Sequence, residues 1–367
     1  MWRKKSTLAA TTGGGNKAGE AWEKHINANG GVAGHKVKLV VKDIAGKTGA
    51  GLAAAKQLIQ DKVVAIIDQD AASDSTWIKT AAEAKIPVLV GVPGIGAYVS
   101  PDAFPYLIGQ AGGVYGLMHA AKSAGSIAGA VYPTELSAAV PVPLYQAMAK
   151  ANGVELPVIT SVSSASPDFT AVCQQLKNAK VNSYTVAGHE QFTAKVVDQC
   201  RKQGLTVPQT LIGAAATEDW KTNPAYQNAM AVGITAPIFD DSNEALNTYR
   251  DALKKYVPDF VGKTADNGIA LGAWLGGQLI VAAAAHVDGD LTGASLQQGL
   301  YALKDETLGG LVQPLNYVAG QITSLNCFFE FKSADGAFTA VNDAKPICGP
   351  AEVLKAADAA IIKAMAK

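Results

Sequence analysis

The chain lacks most of what would tie it to nucleic acid, to a bilayer or to bond-breaking chemistry. Its 31 basic residues are balanced by 31 acidic ones, and charged residues are only 17% of the total. No Lys/Arg cluster is interleaved with aromatics, which excludes nucleic acid as the natural partner. No apolar run reaches the roughly 20 residues of a membrane span; the longest, Leu275 to His286, is too short. The basic start Met1-Trp2-Arg3-Lys4-Lys5 looks like the head of a signal peptide. The apolar core of about 7 to 15 residues that should follow is missing. An export signal is therefore expected to have been removed, replaced or mis-started, or never to have existed.

Enzyme motifs are missing too. Gly46-Lys47-Thr48 follows a strand like a phosphate loop, but Val41 stands where the first glycine is required. His189-Glu190 has Thr193 in place of the second histidine of a zinc motif, and no G-x-S-x-G elbow or C-x-x-C pair occurs. Gly94 and Gly96 lack the third glycine of a dinucleotide fingerprint. A hydrolase built on Ser73 or His189 would need a nucleophile, a base and an orienting acid together, and no such set is found. The chain is expected to be non-enzymatic, with no cofactor and no metal.

What is present is alternation. Ala18, Ala21, Trp22 and Ile26 share one helical face, and the helix stops at Asn29-Gly30-Gly31. Val37 to Val41 reads as a covered strand closed by Asp43, and Thr48 to Asp61 as the next helix. Strand 63–67, helix 76–84 and strand 88–90 continue the series, then a Gly/Pro-rich loop 91–105 and a helix 113–124. A second series has strands 127–131, 158–162 and 182–186, with short strands near 210–212 and 232–235, and helices 143–152, 169–178 and 192–203 between them. Such alternation implies parallel strands and right-handed crossovers. At 367 residues two domains are expected. Beyond Pro237 come helices 244–256 and 267–286, a hairpin around Ala334-Asp335-Gly336, and a terminal helix 352–367. The second of those helices is apolar on most faces and so belongs inside a lobe.

The four cysteines fall into two local pairs, Cys173 with Cys200 and Cys327 with Cys348. Two disulfides closing such loops would each contribute roughly 3 kcal/mol and favour an oxidising compartment. Four buried thiols in a cytosolic protein are the alternative.

The runs INANGGVAGHKVKLVVKD (Ile26 to Asp43), AAAKQLIQDKVVAIID (Ala53 to Asp68) and AAEAKIPVLVG (Ala81 to Gly91) resemble the type I periplasmic binding proteins, the Leu/Ile/Val-binding family that feeds ABC importers. In the second half, SPDFTAVCQQLKNAKVNSYTVAG (Ser166 to Gly188) and VVDQCRKQGL (Val196 to Leu205) carry the same likeness.

The resemblance implies an α/β fold of two similar Rossmann-like lobes with parallel central sheets and a three-crossing hinge. Lobe one would be 1–123 plus 241–325, lobe two 124–240 plus 326–350, and 351–367 a C-terminal helix. It implies a monomeric extracytoplasmic receptor, periplasmic or anchored as a lipoprotein, that closes on a small organic ligand and delivers it to an ABC transporter permease. A cytoplasmic ligand-sensing regulator of the same fold is the alternative. Family members open with a central apolar strand, yet Ser6 to Gly15 offers only Leu8, Ala9 and Ala10, so that strand is weak or partly replaced.

By the same resemblance the ligand-binding residues are Asp70, Ala71 and Ser73 after one lobe-one strand, and Val92 and Gly94 after the next. In lobe two they are Tyr132, Glu135, His189 and Ala215, with Asp266 before the buried helix. Relatives place an aromatic where His189 falls; a surface histidine is the alternative. Asp74 is as well explained as a helix N-cap, and capping also suits Asp266 and Asn267. Trp220 is either a lid or packing. Amino-acid binders hold the ligand ammonium with a carboxylate where this chain has Gly213-Ala214-Ala215-Ala216, which makes a standard amino acid a poorer fit than an amide or aromatic acid.

Overall fold

The computed structural model describes residues 14–44, 47–70, 73–92, 94, 96–97, 100–136, 142–188, 190–213, 216, 219–263 and 265–365. The chain divides into two compact units. Unit 1 comprises Met1–Gly109, Asp240–Leu325 and Met365–Lys367; unit 2 comprises Gln110–Phe239 and Asn326–Ala364.

In unit 1, helix α1 (Gly15–Ala28) turns its apolar face inward and ends at Asn29, followed by Gly30 and Gly31 at positive φ of 99° and 81°. The left-handed region terminates a helix at little cost only with glycine. Trp22 is 2% exposed and lies so close to Gly277 that a Cβ there would sit 2.2 Å from the indole. Helix α2 (Thr48–Gln60) leads to strand β1 (Ile66–Asp68), helix α3 (Ile78–Glu83) to β2 (Val88–Val90), and β3 (Ala103–Pro105) follows. These form a sheet in the order β1-β2-β3, parallel throughout.

Val37 to Val41, expected as a strand, is not among the strands of that sheet. The Asn27 side chain grips its first residue instead, accepting from the Val37 N–H at 2.7 Å and donating to its carbonyl at 2.8 Å. Strand β3 lies inside the Gly/Pro-rich stretch 91–105 expected as loop.

Helices α4 (Gln110–Ala124), α5 (Val142–Ala151), α6 (Thr170–Asn178), α7 (Glu190–Lys202) and α8 (Asp219–Thr222) all lie in unit 2. Back in unit 1, α9 (Glu244–Tyr256) is N-capped by Asn243, and α10 (Gly268–Ala284) by Asn267, whose side chain accepts from the N–H groups of Ile269 and Ala270. Leu271, Trp274, Leu275 and Leu279 of α10 are all fully buried, as its apolar pattern implies. Helix α11 (Gly293–Ala302), missed in the sequence, starts at a capping box between Thr292 and Ser295.

Unit 2 carries an eight-stranded sheet with the path β10-β9-β8-β7-β6-β4-β5 and β11 paired to β9. Its strands are β4 (Ile127–Pro133), β5 (Glu155–Val162), β6 (Ser183–Val186), β7 (Gln209–Ile212), β8 (Ala229–Gly233), β9 (Cys327–Ala334), β10 (Ala337–Ala340) and β11 (Ile347–Cys348). Strands β4 to β8 are mutually parallel where they pair, while β9 runs antiparallel to β8, β10 and β11. The β9–β10 hairpin turns on Asp335 and Gly336, both at positive φ, as a two-residue turn of the primed type demands. Helix α12 (Ala351–Met365) follows β11.

Helix α4, expected to end lobe one, belongs to unit 2. Gly116 brings it so near β8 and β9 that a Cβ would lie 2.7 Å from Val232 and 3.0 Å from Phe328. All four cysteines pair as expected, Cys173 with Cys200 and Cys327 with Cys348. The first bridge joins α6 to α7; the second joins directly opposed residues of β9 and β11. The fold is an α/β fold with parallel central strands, as the alternation required.

Candidate functional site

Parallel strands leave their carboxyl ends on one edge, and ligands of open α/β sheets bind beyond that edge. In unit 1 the edge is acidic. Strand β1 ends at Asp68, which is 3% exposed; one carboxyl oxygen accepts the Asp70 N–H at 2.9 Å. Burial raises its pKa well above the ordinary carboxylate range, and the nearby Asp74 and Asp70 charges push the same way. Beside it Gln69 donates to the Tyr106 hydroxyl at 3.0 Å, which donates to the Gly272 carbonyl at 2.8 Å. This ties the strand end to β3 and α10.

Ser73 and Asp74 are both fully buried. The Ser73 hydroxyl donates to the Asp70 carboxylate. Asp74 accepts the N–H groups of Gly94 at 2.9 Å, Gly96 at 3.0 Å and Ala97 at 3.4 Å. Burial raises the Asp74 pKa, and those donors partly offset the shift. A Cβ on Gly96 would lie 2.5 Å from the Ser75 backbone nitrogen, so glycine is what lets this loop close on the carboxyl. Asp74 therefore sews the loop after β2 to the loop after β1, and the Gly94 N–H points at a protein carboxyl. Val92 is half-buried in the same loop. Asp266 accepts the Gly262 N–H at 3.0 Å just ahead of α10, and burial raises its pKa.

In unit 2, Tyr132 is half-buried near the end of β4. Glu135 follows in a short 3-10 turn and accepts the Ser163 hydroxyl at 2.7 Å and the Ser164 N–H at 3.1 Å. The Ser163 bond is the main reason its pKa falls to about 2, so it stays ionised across the physiological range. Gly213 follows β7 where a Cβ would lie 2.5 Å from the Phe331 ring. Trp220 is 3% exposed, stacks on Tyr226 at 4.8 Å, and offers its carbonyl to the Ser333 hydroxyl; it is packing, not a lid. Ala71, His189 and Ala215 lie outside the described residues, as does the expected first strand before Gly14.

The structure thus gathers Asp70, Ser73 and Gly94 at one edge of unit 1, with Val92 in the same loop, and places Asp266 before α10. Tyr132 and Glu135 stand at the corresponding strand end of unit 2. Sequence reasoning missed Asp68, Gln69 and Tyr106; the signal available was an acid at the end of the continuously apolar VVAIID run. Among the described residues no cluster of three or more His, Cys, Asp or Glu is placed to hold a metal ion, and no helix is long and apolar enough to cross a membrane.

Sequence comparison supplies the class. The profile of the periplasmic binding protein family matches residues 4–323, and the chain belongs to that family. Its members are solute-binding receptors, not enzymes, which agrees with the missing catalytic motifs. No curated protein matches. Solved structures agree on the fold. A branched-chain amino acid ABC transporter protein from Thermus thermophilus with bound valine superposes with a TM-score of 0.79 at 14% identity, covering 97% of each chain. A solute-binding protein from R. palustris in complex with benzoate gives 0.72 at 16% identity, covering 95% of this chain and 96% of that one. A fatty acid ABC transporter substrate-binding protein from Thermomonospora curvata gives 0.70 at 17% identity, covering 95% and 90%.

Proposed function

We propose that the protein is the extracytoplasmic receptor of an ABC importer, a monomer that closes its two units on a small organic molecule and hands it to the permease. The observation that carries this reading is the family match across residues 4–323. Relatives of the same fold are described with valine, with benzoate and as a fatty acid transporter protein, so fold alone leaves the ligand class open. Two closed disulfides support an oxidising compartment over the cytoplasm.

The chemistry of the strand ends narrows the ligand. In unit 1 the Gly94, Gly96 and Ala97 amides already serve Asp74, so they are not offered to a ligand carboxylate. Asp68, Asp70 and Asp74 crowd the same edge, which disfavours an anion there. A ligand presenting an amide, an amine or an aromatic face to unit 1 suits this edge better than one presenting a carboxylate. The proposed contacts are Asp70, Ala71, Ser73, Val92 and Asp266 from unit 1, and Tyr132, Glu135, His189 and Ala215 from unit 2; Gly94, expected as a backbone donor, has its N–H on Asp74 instead.

Thermal melting against amino acids, amides and aromatic acids tests the proposal. A true ligand at a hundredfold excess over its Kd adds about 2.7 kcal/mol of stability, and Tyr132→Ala is expected to weaken that shift. If no compound in these classes stabilises the protein, or if a bound compound is chemically converted, the reading fails.

A further inference from the structure

The outer edge of β9 in unit 2 is covered by one strand in two pieces. Strand β10 ends on the pair Ala340 with Phe331, and β11 begins on Ile347 with Phe328, both antiparallel to β9. Between those pairs the outer chain has six residues and β9 has two, so Val341 to Pro346 leave the ladder and come back to it. Within that excursion Asn342, Asp343 and Ala344 stand at φ of 57°, 53° and 56°, three consecutive non-glycine residues in the left-handed region. L-residues enter that region singly, and asparagine and aspartate more readily than alanine. None of 341–346 is buried, so packing does not force the turn. It is held from its ends.

At the upstream end the Val341 N–H donates to the Glu330 carbonyl at 2.8 Å. At the downstream end β11 has only two residues, prolonged by Gly349. The Gly349 N–H donates to the Asn326 carbonyl at 2.8 Å, and the Asn326 side chain donates to the Gly349 carbonyl at 2.9 Å. So short a ladder is marginal alone. What fixes it covalently is Cys348, bridged to Cys327 directly opposite. The two bridges of the protein differ in access: Cys173 and Cys200 are both fully buried, whereas Cys348 is exposed. A disulfide exchanges where a thiolate can reach one of its sulfurs, so a thiol in solution meets the Cys327–Cys348 bridge first.

We propose that this bridge is a redox-operated latch: a dithiol reductant opens it in the folded protein, the left-handed turn relaxes, and the segment from Asn342 through β11 leaves β9. One thiolate of the dithiol attacks the Cys348 sulfur and expels the Cys327 thiolate, which takes up a proton. The second thiol then displaces Cys348 from the mixed disulfide, leaving two cysteine thiols and the reductant as its own disulfide, so the protein gains two electrons and two protons. Cys327 and Phe328 open β9 just after the chain's last passage from unit 1, between Leu325 and Asn326. Opening the latch strips both residues of their outer neighbour. Helix α12 follows directly, and a Cβ on Gly349 would lie 2.9 Å from Leu354 of that helix and from Tyr115 of α4. Redox state thus sets how firmly the end of that passage and the start of α12 are fixed in unit 2.

The test needs no solute and is therefore independent of the solute-binding reading. The full chain is treated with dithiothreitol without denaturant, free thiols are alkylated and located by mass, and hydrogen exchange is followed on the same samples. Cys327 and Cys348 are expected to label at least about tenfold faster than Cys173 and Cys200, with exchange rising across 342–349 and unchanged across 170–202. Both bridges opening together, a bridge that resists the dithiol until the protein unfolds, or unchanged exchange once Cys327 and Cys348 are labelled overturns the proposal. Two variants separate the latch from the loss of any disulfide. Cys327→Ser with Cys348→Ser is expected to show the raised exchange of 342–349 without reductant, and full protection there overturns the latch. Ala344→Gly eases the left-handed turn and is expected to cut the rise on reduction severalfold; a rise equal to that of the unaltered chain overturns the turn as what drives release.

Discussion

Units 1 and 2 are written in the same strand-helix grammar, yet they are held together by different means. Unit 2 has an eight-stranded sheet, a continuous core running from Val131 and Phe169 to Phe331, and both disulfides. Among the described residues, unit 1 has a sheet of three strands and a cavity of about 710 Å³ beside it. In place of covalent ties it has buried polar ones: Asp74 across two loops, Tyr106 to Gly272 and Tyr317 to Pro105. Parallel sheets need both faces covered, and unit 1 keeps its helical layers although its sheet is short. The comparison teaches that cover and strand number are separable. Layers of helix fix where strands belong, and polar stitches hold a strand end in place even where the ladder beside it is incomplete.

The sharpest way to test that contrast is to remove a covalent tie from unit 2 alone. Cys173 and Cys200 are fully buried and 27 residues apart, and loop-closure entropy gives such a bridge about 3–4 kcal/mol. The double variant Cys173→Ala with Cys200→Ala is expected to lose about that much in denaturant melts. Hydrogen exchange should rise in α6 and α7 and stay unchanged in unit 1. Equal loosening of both units would break the comparison.

A smaller loss is expected when the main polar stitch of unit 1 is cut. Asp74→Ala orphans the N–H groups of Gly94, Gly96 and Ala97 in a buried setting and costs about 2 kcal/mol, since relief of the carboxyl's burial offsets part of the loss. Because burial raises this carboxyl's pKa, Asp74→Asn should be milder than alanine: the amide oxygen still accepts without a charge to desolvate. An asparagine variant no better than alanine would show that the ion is required.

Much of this contrast was legible in the sequence, for identifiable reasons. Continuous apolar runs such as VVAIID and VLV mark covered strands because nothing else buries them on both sides. Asp335-Gly336 marked its hairpin because both positions need positive φ, and Asn267 marked the start of α10 because its side chain caps. The spacing of the cysteines suggested two local bridges and left four free thiols as the alternative, and both bridges are formed. Other features had no local signal. The three residues of β3, Ala-Phe-Pro, are too few to show a period. Val37 to Val41 has the composition of a strand, but a ladder needs a neighbour, and composition does not report one. Helix α4 lies in unit 2 and not at the end of lobe one, and the close approach of its Gly116 to Val232 of β8 and Phe328 of β9 leaves no mark in the local pattern. At the candidate site, the strand ends were foreseeable and the partners of their side chains were not. That the Gly94 amide faces Asp74 follows from how two loops meet, which no stretch of either loop records.

The smallest expected effect lies in unit 2 and depends on pH. His119 on α4 meets Glu330 on β9, Nδ1 to Oε1 at 2.9 Å, with the Phe328 ring edge-on at 5.5 Å. The Glu330 side chain is 1% exposed and the histidine about a third exposed. The hydrogen bond to Glu330 raises the His119 pKa above 6.5, against the opposing pull of burial. A folded-state pKa above the unfolded one means that the contribution is complete below about pH 6.5 and is lost as pH rises through the folded value. Solvent reaches the imidazole, so the contribution is held to under about 1 kcal/mol. His119→Gln should therefore lower stability at pH 6 and leave it nearly unchanged at pH 9. A variant whose deficit is the same at both values would show that the histidine packs against Phe328 and that its charge does nothing for α4.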